Sequence, residues 1–335
     1  MIEKKGNSIE FDRSKCIKCT KCVLRCKNLG INHLLVKGEG KDRYIEFDSG
    51  SPCVNCGQCT LVCPVSSMRE QSELDRVRGK LADRSKCVIA QCAPSVRVSL
   101  GEIFKMEYDS GIERKINSCL RILGFSKVFD VNFGADITSI VEAEELLERL
   151  EEEEGIPMFT SCCPSWINFV KNYEPGLKAN LTTALSPHIH AGFAYRTWWA
   201  QKVSMDPTNI VVVSIMPCTS KKDEVHEFGG VKAVDHVLTV RELAKLIIEK
   251  NIDFANLEES DGDLLSDYSG GAVIYGKSGG VMESALRVLK RKIDNESFEG
   301  LEMQDIINAE ETFREATGRV GSVDVKIAVI SGPKN

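Results

Sequence analysis

The stretch "IVVVSIMPCTSKKDE", residues 210–224, decides the fold. Its first six residues are β-branched or small and leave no wet face, the pattern of a strand covered on both sides. A polar loop follows at once, and Cys218 sits in it just past the strand end. Other β-type runs are "CVIAQC" (87–92), "KVFDV" (127–131), "AVIY" (272–275) and "VKIAVI" (325–330). Amphipathic helical stretches lie between many of them, near 111–124, 136–150, 164–173, 186–200, 240–251 and 281–292. Covered strands alternating with helices predict an α/β fold with a mainly parallel sheet flanked by helices.

A second loop of the same kind reads "TSCCPSW" at 160–166. It follows a short β-type run and precedes a helix starting near Pro164, a residue suited to a helix's first turn. Both cysteine loops fall at strand ends, where sites in α/β sheets gather, so they can converge on one cleft. Adjacent side chains diverge. In a metal site one cysteine of the pair would therefore ligate while the other stayed close but unbound. Beside an anionic cluster that second thiolate would meet repulsion of about 4 kcal/mol, at about 4 Å and an effective dielectric of about 20. It would remain a neutral thiol, able to give up a proton and take one back. The plainer alternative is two core cysteines.

The bulk numbers narrow the setting. The chain has 335 residues, 42% hydrophobic, enough for two or three domains and a sizeable core. A net charge of -6 argues against a nucleic-acid partner, which wants a basic face. No apolar run is long enough to span a bilayer. The opening "MIEKKGNSIEF" lacks the apolar core of a signal peptide, so a cytoplasmic location is expected. Thiols stay reduced there, and the 14 cysteines then point to metal rather than disulfides.

Two runs near the start carry eight of those cysteines: "CIKCTKCVLRC" (16–26) and "CVNCGQCTLVC" (53–63), the latter followed by Pro64. Both have the spacing C-x2-C-x2-C-x3-C of two-cluster bacterial ferredoxins, in which each fourth cysteine serves the other cluster. A tight loop lets three thiolates converge on one cube, and the fourth, a helical turn further on, reaches its neighbour. The expected ligands are Cys16, Cys19, Cys22 and Cys63 for one [4Fe–4S] cluster, and Cys53, Cys56, Cys59 and Cys26 for the other. Zinc sites are the alternative, but they usually use separated C-x2-C pairs. Such a module carries single electrons, so something downstream should use them. An α+β ferredoxin-like domain is expected over 1–80 and an α/β domain over 81–335, with a helix in the charged segment 65–84.

The motifs "TSCCPSW", "MPCTSKKDE" (216–224) and "GGVMESALR" (279–287) resemble the signatures of [FeFe]-hydrogenases. "CAPSVRVSLGE" (92–102) resembles the segment that opens that family's catalytic domain. The resemblance implies two lobes, about 81–200 and 205–335, each with a mainly parallel four-stranded sheet, closing over the H-cluster. That cofactor is a [4Fe–4S] cube bridged through a cysteine to a two-iron unit with carbonyl, cyanide and azadithiolate ligands. The implied reaction is reversible reduction of protons to H2, with electrons relayed through the two N-terminal clusters to ferredoxin or another redox carrier. Carried over by position, Cys163 and Cys218 bind the cube, and Cys162 passes protons to the bridging amine. Lys221 and Ser95 would hold cyanide ligands, and Met216 and Pro94 would line the pocket. Glu142, Glu145 and Arg149 share one face of the helix expected over 136–150. In the family, acidic residues at these places relay protons, with Thr182 where a hydroxyl residue joins. An ordinary solvated helix face is the alternative.

Two departures stand out. The family's third signature, E-x-M-A-C-x-x-G-C, is missing, and Cys218 is the last cysteine. The segment "VKIAVISGPKN" resembles the strand shortly before that signature, so lobe two is expected to be C-terminally incomplete. A truncated sequence, a second subunit donating the missing cysteines, or a relative that no longer builds the H-cluster would each account for this. The relay residues argue against long loss of activity. His188 is the other departure, since the family more often has glutamine there, facing a diatomic ligand. Histidine could alter that hydrogen bonding or add a titrating group, or simply be a polar helix-start residue. The expected function is a hydrogenase-type iron–sulfur oxidoreductase. The competing class is a non-catalytic electron-transfer, sensor or cluster-assembly protein on the same scaffold.

Overall fold

The structure is a computed structural model that describes residues 2–107, 111–224, 227–228, 230–295, 304–305, 313–321, 323–330 and 332. Strands β1 (Ile2–Lys5), β2 (Ile9–Asp12) and, later in the chain, β5 (Met68–Glu70) form an antiparallel sheet in the order β1-β2-β5. Between them lie α1 (Lys21–Asn28), the antiparallel pair β3 (Leu34–Lys37) and β4 (Tyr44–Phe47), and α2 (Gln58–Leu61). Ile9, Phe11, Leu34, Ile45 and Met68 bury a small core against the cysteine loops.

Helix α3 (Leu74–Ala82) leads into the larger part of the chain. Its central sheet is parallel and four-stranded, built from β6 (Cys87–Cys92), β7 (Lys127–Asp130), β8 (Ile210–Met216) and β9 (His236–Thr239), in the order β9-β8-β6-β7. Every residue of β8 is buried, as a run with no wet face requires. Helices α4 (Pro94–Ile103) and α9 (Val240–Glu249) pack against β8, α5 (Ile112–Ile122) against β7, and α3 against β9. The long helix α6 (Val131–Glu152) packs on α8 (Pro187–Ala194) and α10 (Gly280–Asp294). A Cβ on Gly134 would strike the Pro187 carbonyl, so glycine lets α6 and α8 approach this closely. Helix α7 (Pro164–Tyr173) follows the cysteine pair. An antiparallel hairpin, β10 (Phe313–Val320) with β11 (Val323–Ile330), adds Val320 and Ile327 to an apolar cluster with Ala143, Leu146, Leu286 and Leu289.

Two expectations need correction. "AVIY" is not a strand: residues 270–276 are helical, with the Ser269 hydroxyl accepting from the Gly271 N–H at 3.1 Å. A short apolar run does not distinguish strand from buried helix. Two four-stranded sheets, divided near residue 200, were also expected. One such sheet is found among the described residues, and it takes β6 and β7 from one side of that division and β8 and β9 from the other. Apolar faces reveal that a strand is covered, not which strands pair.

Candidate metal centres

The two cysteine runs adopt the same backbone. Positive φ occurs at Lys18 and Thr20 in the first loop and at Asn55 and Gly57 in the second, matching places in the motif. Thr20 and Gly57 then cap α1 and α2. These left-handed residues curl each loop round a small cavity. One cavity is lined by Cys26, Cys53, Cys56 and Cys59, the other by Cys16, Cys19, Cys22 and Cys63. Each run's fourth cysteine thus crosses to its neighbour's site, the sets expected from spacing. Burial pushes Cys22 and Cys53 up to about 11 and Cys59 well above the usual thiol range. Thiolates so crowded need a cationic centre among them. The Asn55 N–H reaches Cys53 Sγ at 3.4 Å and the Met68 N–H reaches Cys63 Sγ at 3.3 Å, both suited to a sulfur carrying negative charge. The cavities therefore fit cubes held by four thiolates each.

The third site stands at one edge of the parallel sheet. Phe159 makes an isolated parallel bridge to Leu181, and Cys163 is the N-cap of α7, with Pro164 in the first turn. Cys218 leaves the end of β8. The Cys163 thiol is raised first by burial, and Cys218 adds to the rise. Cys56, in the first cavity, feels Cys163 in turn. Lys221 Nζ donates to the Cys162 carbonyl at 2.8 Å and to Glu224 Oε2 at 2.5 Å, tying the two loops together. Burial alone would raise Glu224, but Lys221 and His188 outweigh it and hold the carboxyl at about 2. Ser95 and Pro94 begin α4, directly beyond β6, and Cys92 pairs with Ile215 in register. They therefore leave the same sheet edge as Met216 and Cys218. No hydrogen bond among the described residues links Ser95 to Lys221 or the cysteines.

His188 lies in the first turn of α8, as a helix-start residue would, but its side chain is turned inward. It is buried, its Nε2 2.7 Å from Glu224 Oε2 and its Nδ1 3.2 Å from Ser214 Oγ. Gln91 Nε2 donates to both the Ser214 hydroxyl and the His188 carbonyl.

On the proton side, burial pushes the Cys162 thiol up to about 12, with Lys221 opposing and Glu142 adding to the rise. Glu142 is fully buried, and its carboxyl is pushed up to about 8 by that burial; the Ser161 amide and Thr182 hydroxyl pull the other way. Glu145 accepts from Arg149 at 2.6 Å and from the Thr183 amide and hydroxyl, both at 2.9 Å. Ser161 Oγ donates to the Thr182 carbonyl at 2.8 Å. Four residues at this site went unassigned in the sequence. Thr183 holds Glu145, Ser161 faces Glu142, and Glu224 anchors Lys221. The Tyr275 hydroxyl is pushed up by burial and by Glu142 and Cys162. Only Glu224 had a readable signal, its place three residues after Lys221; Tyr275 was hidden by the strand reading of "AVIY".

The family model "Iron only hydrogenase large subunit, C-terminal domain" matches residues 86–335, and "4Fe-4S dicluster domain" matches residues 9–69. The chain is 40% identical to iron hydrogenase 1 of Clostridium pasteurianum over 350 aligned residues, covering all of this chain and 60% of that protein. An apo [FeFe]-hydrogenase structure from Chlamydomonas reinhardtii superposes with a TM-score of 0.66 at 33% identity, over 75% of this chain and 66% of that one. Cytosolic iron-sulfur assembly component 3 of Mus musculus is 26% identical, over 85% of this chain and 63% of that protein. The chain belongs to the iron-only hydrogenase large-subunit family. It is a hydrogenase-like iron–sulfur protein, and the matched domains are those of [4Fe–4S] clusters and of the H-cluster. It spans about three fifths of the length of the clostridial relative. Among the described residues no helix is long and apolar enough to cross a membrane.

Proposed function

We propose that this chain carries the redox and proton-handling part of an [FeFe]-hydrogenase, acting in reversible H2 oxidation and proton reduction. The observation that carries the reading is the environment of Cys162. Burial pushes its thiol up to about 12, with Lys221 opposing and Glu142 and Cys163 adding to the rise. When bound, the H-cluster supplies the metal centre at which protons and electrons combine. Cys163 and Cys218 would hold its cube from this chain. Lys221, fixed by Glu224, presents an ammonium at the cleft. Glu142 is protonated near neutral pH and can exchange its proton with Cys162. Glu145 and Arg149, with Thr182 and Thr183, form the polar continuation along α6. Electrons would run between the Cys163 site and the cavity of Cys26, Cys53, Cys56 and Cys59, then to that of Cys16, Cys19, Cys22 and Cys63, and out to a ferredoxin or another carrier.

Infrared spectroscopy tests this. Protein matured with the two-iron cofactor shows carbonyl and cyanide bands if the reading holds. The second reading is a non-catalytic electron-transfer, sensor or cluster-assembly role, favoured by the likeness to the iron-sulfur assembly component. It is supported instead if those bands are absent while about eight iron atoms per chain remain, two cubes' worth. A second subunit completing the cysteine set would restore the bands on addition.

A further inference from the structure

The proton path proposed above leaves Glu142 along α6 toward Glu145 and Arg149. The polar row on that helix also runs the other way. Asp136, Ser139, Glu142 and Glu145 follow one another at intervals of three residues. Each is therefore a surface neighbour of the next, with Cβ atoms about 5–6 Å apart. Beyond Glu142 the row meets two other elements. The Tyr275 hydroxyl lies 2.9 Å from Ser139 Oγ, and Ser284 Oγ, on α10, lies 2.7 Å from it. Ser139 Oγ also donates to the Ala135 carbonyl at 2.9 Å. A serine hydroxyl has one hydrogen, and a carbonyl only accepts. When Ser139 gives its hydrogen to Ala135, Tyr275 and Ser284 both donate to Ser139. When it turns, it donates to one of them instead. Each member can thus take a hydrogen bond from one neighbour and give one to the next. Burial pushes the Tyr275 hydroxyl up first, and Glu142, then Cys162 and Asp136, add to the rise, with Ser139 opposing. The carboxyl oxygens of Glu142 are buried and close no hydrogen bond among the described residues, the Ser161 amide and Thr182 hydroxyl acting on it at longer range. The far end of the row lies at the surface. Exposed Ser269 donates to Asp136 from its hydroxyl, and from its amide at 2.7 Å. Between Ser284 and Ser269 stands Gly271. A Cβ there would lie 2.7 Å from Ser284 Oγ and 3.2 Å from Ser269 Oγ, so the two hydroxyls flank a small space that glycine keeps free.

We infer that Tyr275, Ser139 and Ser284 form a second branch of proton transfer, running between Glu142 and the surface at Ser269 and Asp136. The branch rests on the proton role proposed for Glu142, though not on a bound H-cluster. No hydrogen bond among the described residues joins Ser284 to Ser269, so a bridging water makes that link. As a proton enters from Glu142, an O–H bond forms on the near side of each hydroxyl and one breaks on its far side. The Asp136 carboxylate takes up the last proton and releases it to solvent. One proton is carried, each hydroxyl is left neutral, and no electron moves.

The test reads the proton on Glu142 itself. The full chain with both cubes loaded is mixed into D2O below the Glu142 midpoint of about 8. Stopped-flow infrared then follows the carboxyl band that is lost in Glu142→Gln as deuterium replaces hydrogen. The H-cluster is not needed, so the result stands whether or not carbonyl and cyanide bands appear on maturation. Glu145→Gln, which closes the first branch, should slow exchange without stopping it. Adding Tyr275→Phe or Ser139→Ala to that variant should slow it about tenfold more, since each removes a hydrogen bond that the proton must use. Gly271→Ala leaves every hydroxyl in place and should act the same way, by filling the space between Ser284 and Ser269. Amide exchange along α6 should stay at the Glu145→Gln level in all three, which separates proton transfer from helix opening. Ser118→Ala, which removes a hydroxyl from α5, should change neither rate. Exchange halted by Glu145→Gln alone overturns the inference. So does a rate in that background that Tyr275→Phe and Gly271→Ala leave unchanged.

Discussion

Cys162 and Glu142 show how one residue's surroundings set its chemistry. A neutral thiol was expected at Cys162 because an anionic cluster would repel its thiolate; in the structure, burial already has that effect. Serine is close in size and puts a hydroxyl donor in place of the thiol, without the thiol's acidity. Cys162→Ser should therefore retain the iron–sulfur spectrum and lose nearly all H2 turnover, and intact hydrogen evolution would sink the proton role. Cys163→Ala, by contrast, should remove the third cube's spectrum. Glu142 titrates near 8 in the folded chain, against about 4.3 for an unfolded glutamate. Between those values the folded state keeps a proton that the unfolded state has released. Glu142 therefore favours folding most at low pH, and that contribution falls as pH rises through the window, by at most on the order of 5 kcal/mol. Melting temperatures of the native chain and Glu142→Gln, taken from about pH 5 to pH 8, should diverge, with the native chain losing ground as pH rises. Parallel curves would mean that the carboxyl is not held neutral.

Among the elements, α9 depends heavily on one side chain, Glu242. Thr239 and Glu242 form a reciprocal cap at its N-terminus. The same Glu242 pairs with the buried Lys222 at 2.7 Å and accepts from the Glu73 amide at 2.9 Å. Lys222 also donates to the Val237 carbonyl at 2.8 Å, so the loop after Cys218 is fastened to β9 and α9 together. Removing one partner leaves an uncompensated buried charge, which costs about 3–5 kcal/mol. Glu242→Ala should destabilise the chain by about that much in urea unfolding, whereas Thr239→Ala should cost only about 1 kcal/mol, the usual price of a lost cap. Equal effects would show that the cap, not the buried pair, dominates. The helix expected at 240–251 was legible from its apolar spacing, and α9 occupies Val240–Glu249. The pairing of Lys222 with Glu242 was not legible, because it joins residues 20 apart across a strand.

At the scale of the molecule, the cluster module and the larger part meet through a few polar contacts. Asp223 accepts from the Ser8 hydroxyl at 2.6 Å and from the Asn7 amide, and Ser8 also donates to the Thr219 carbonyl at 2.9 Å. The Tyr173 hydroxyl lies 2.9 Å from the Ile31 carbonyl and 2.7 Å from that of Pro52. Gly57 cannot carry a Cβ without striking Thr219. Asp223→Ala with Tyr173→Phe should lower the melting temperature by a few degrees, with the iron content of the two cavities unchanged; an unaltered melting curve would show that these contacts carry no load. The sequence by itself determined the cysteine spacing, the crossed cysteine sets that line the two cavities, the buried strands β6 and β8, and the cysteine loop past the end of β8. All of these are local repeats of residue type whose period or interval is fixed by backbone geometry. Only the tertiary structure decided that one sheet draws strands from both halves, that "AVIY" is helical, and that His188 turns to Glu224. These depend on contacts between residues far apart in the chain, where burial, charge pairing and close approach are set by packing and leave no periodic trace in the sequence.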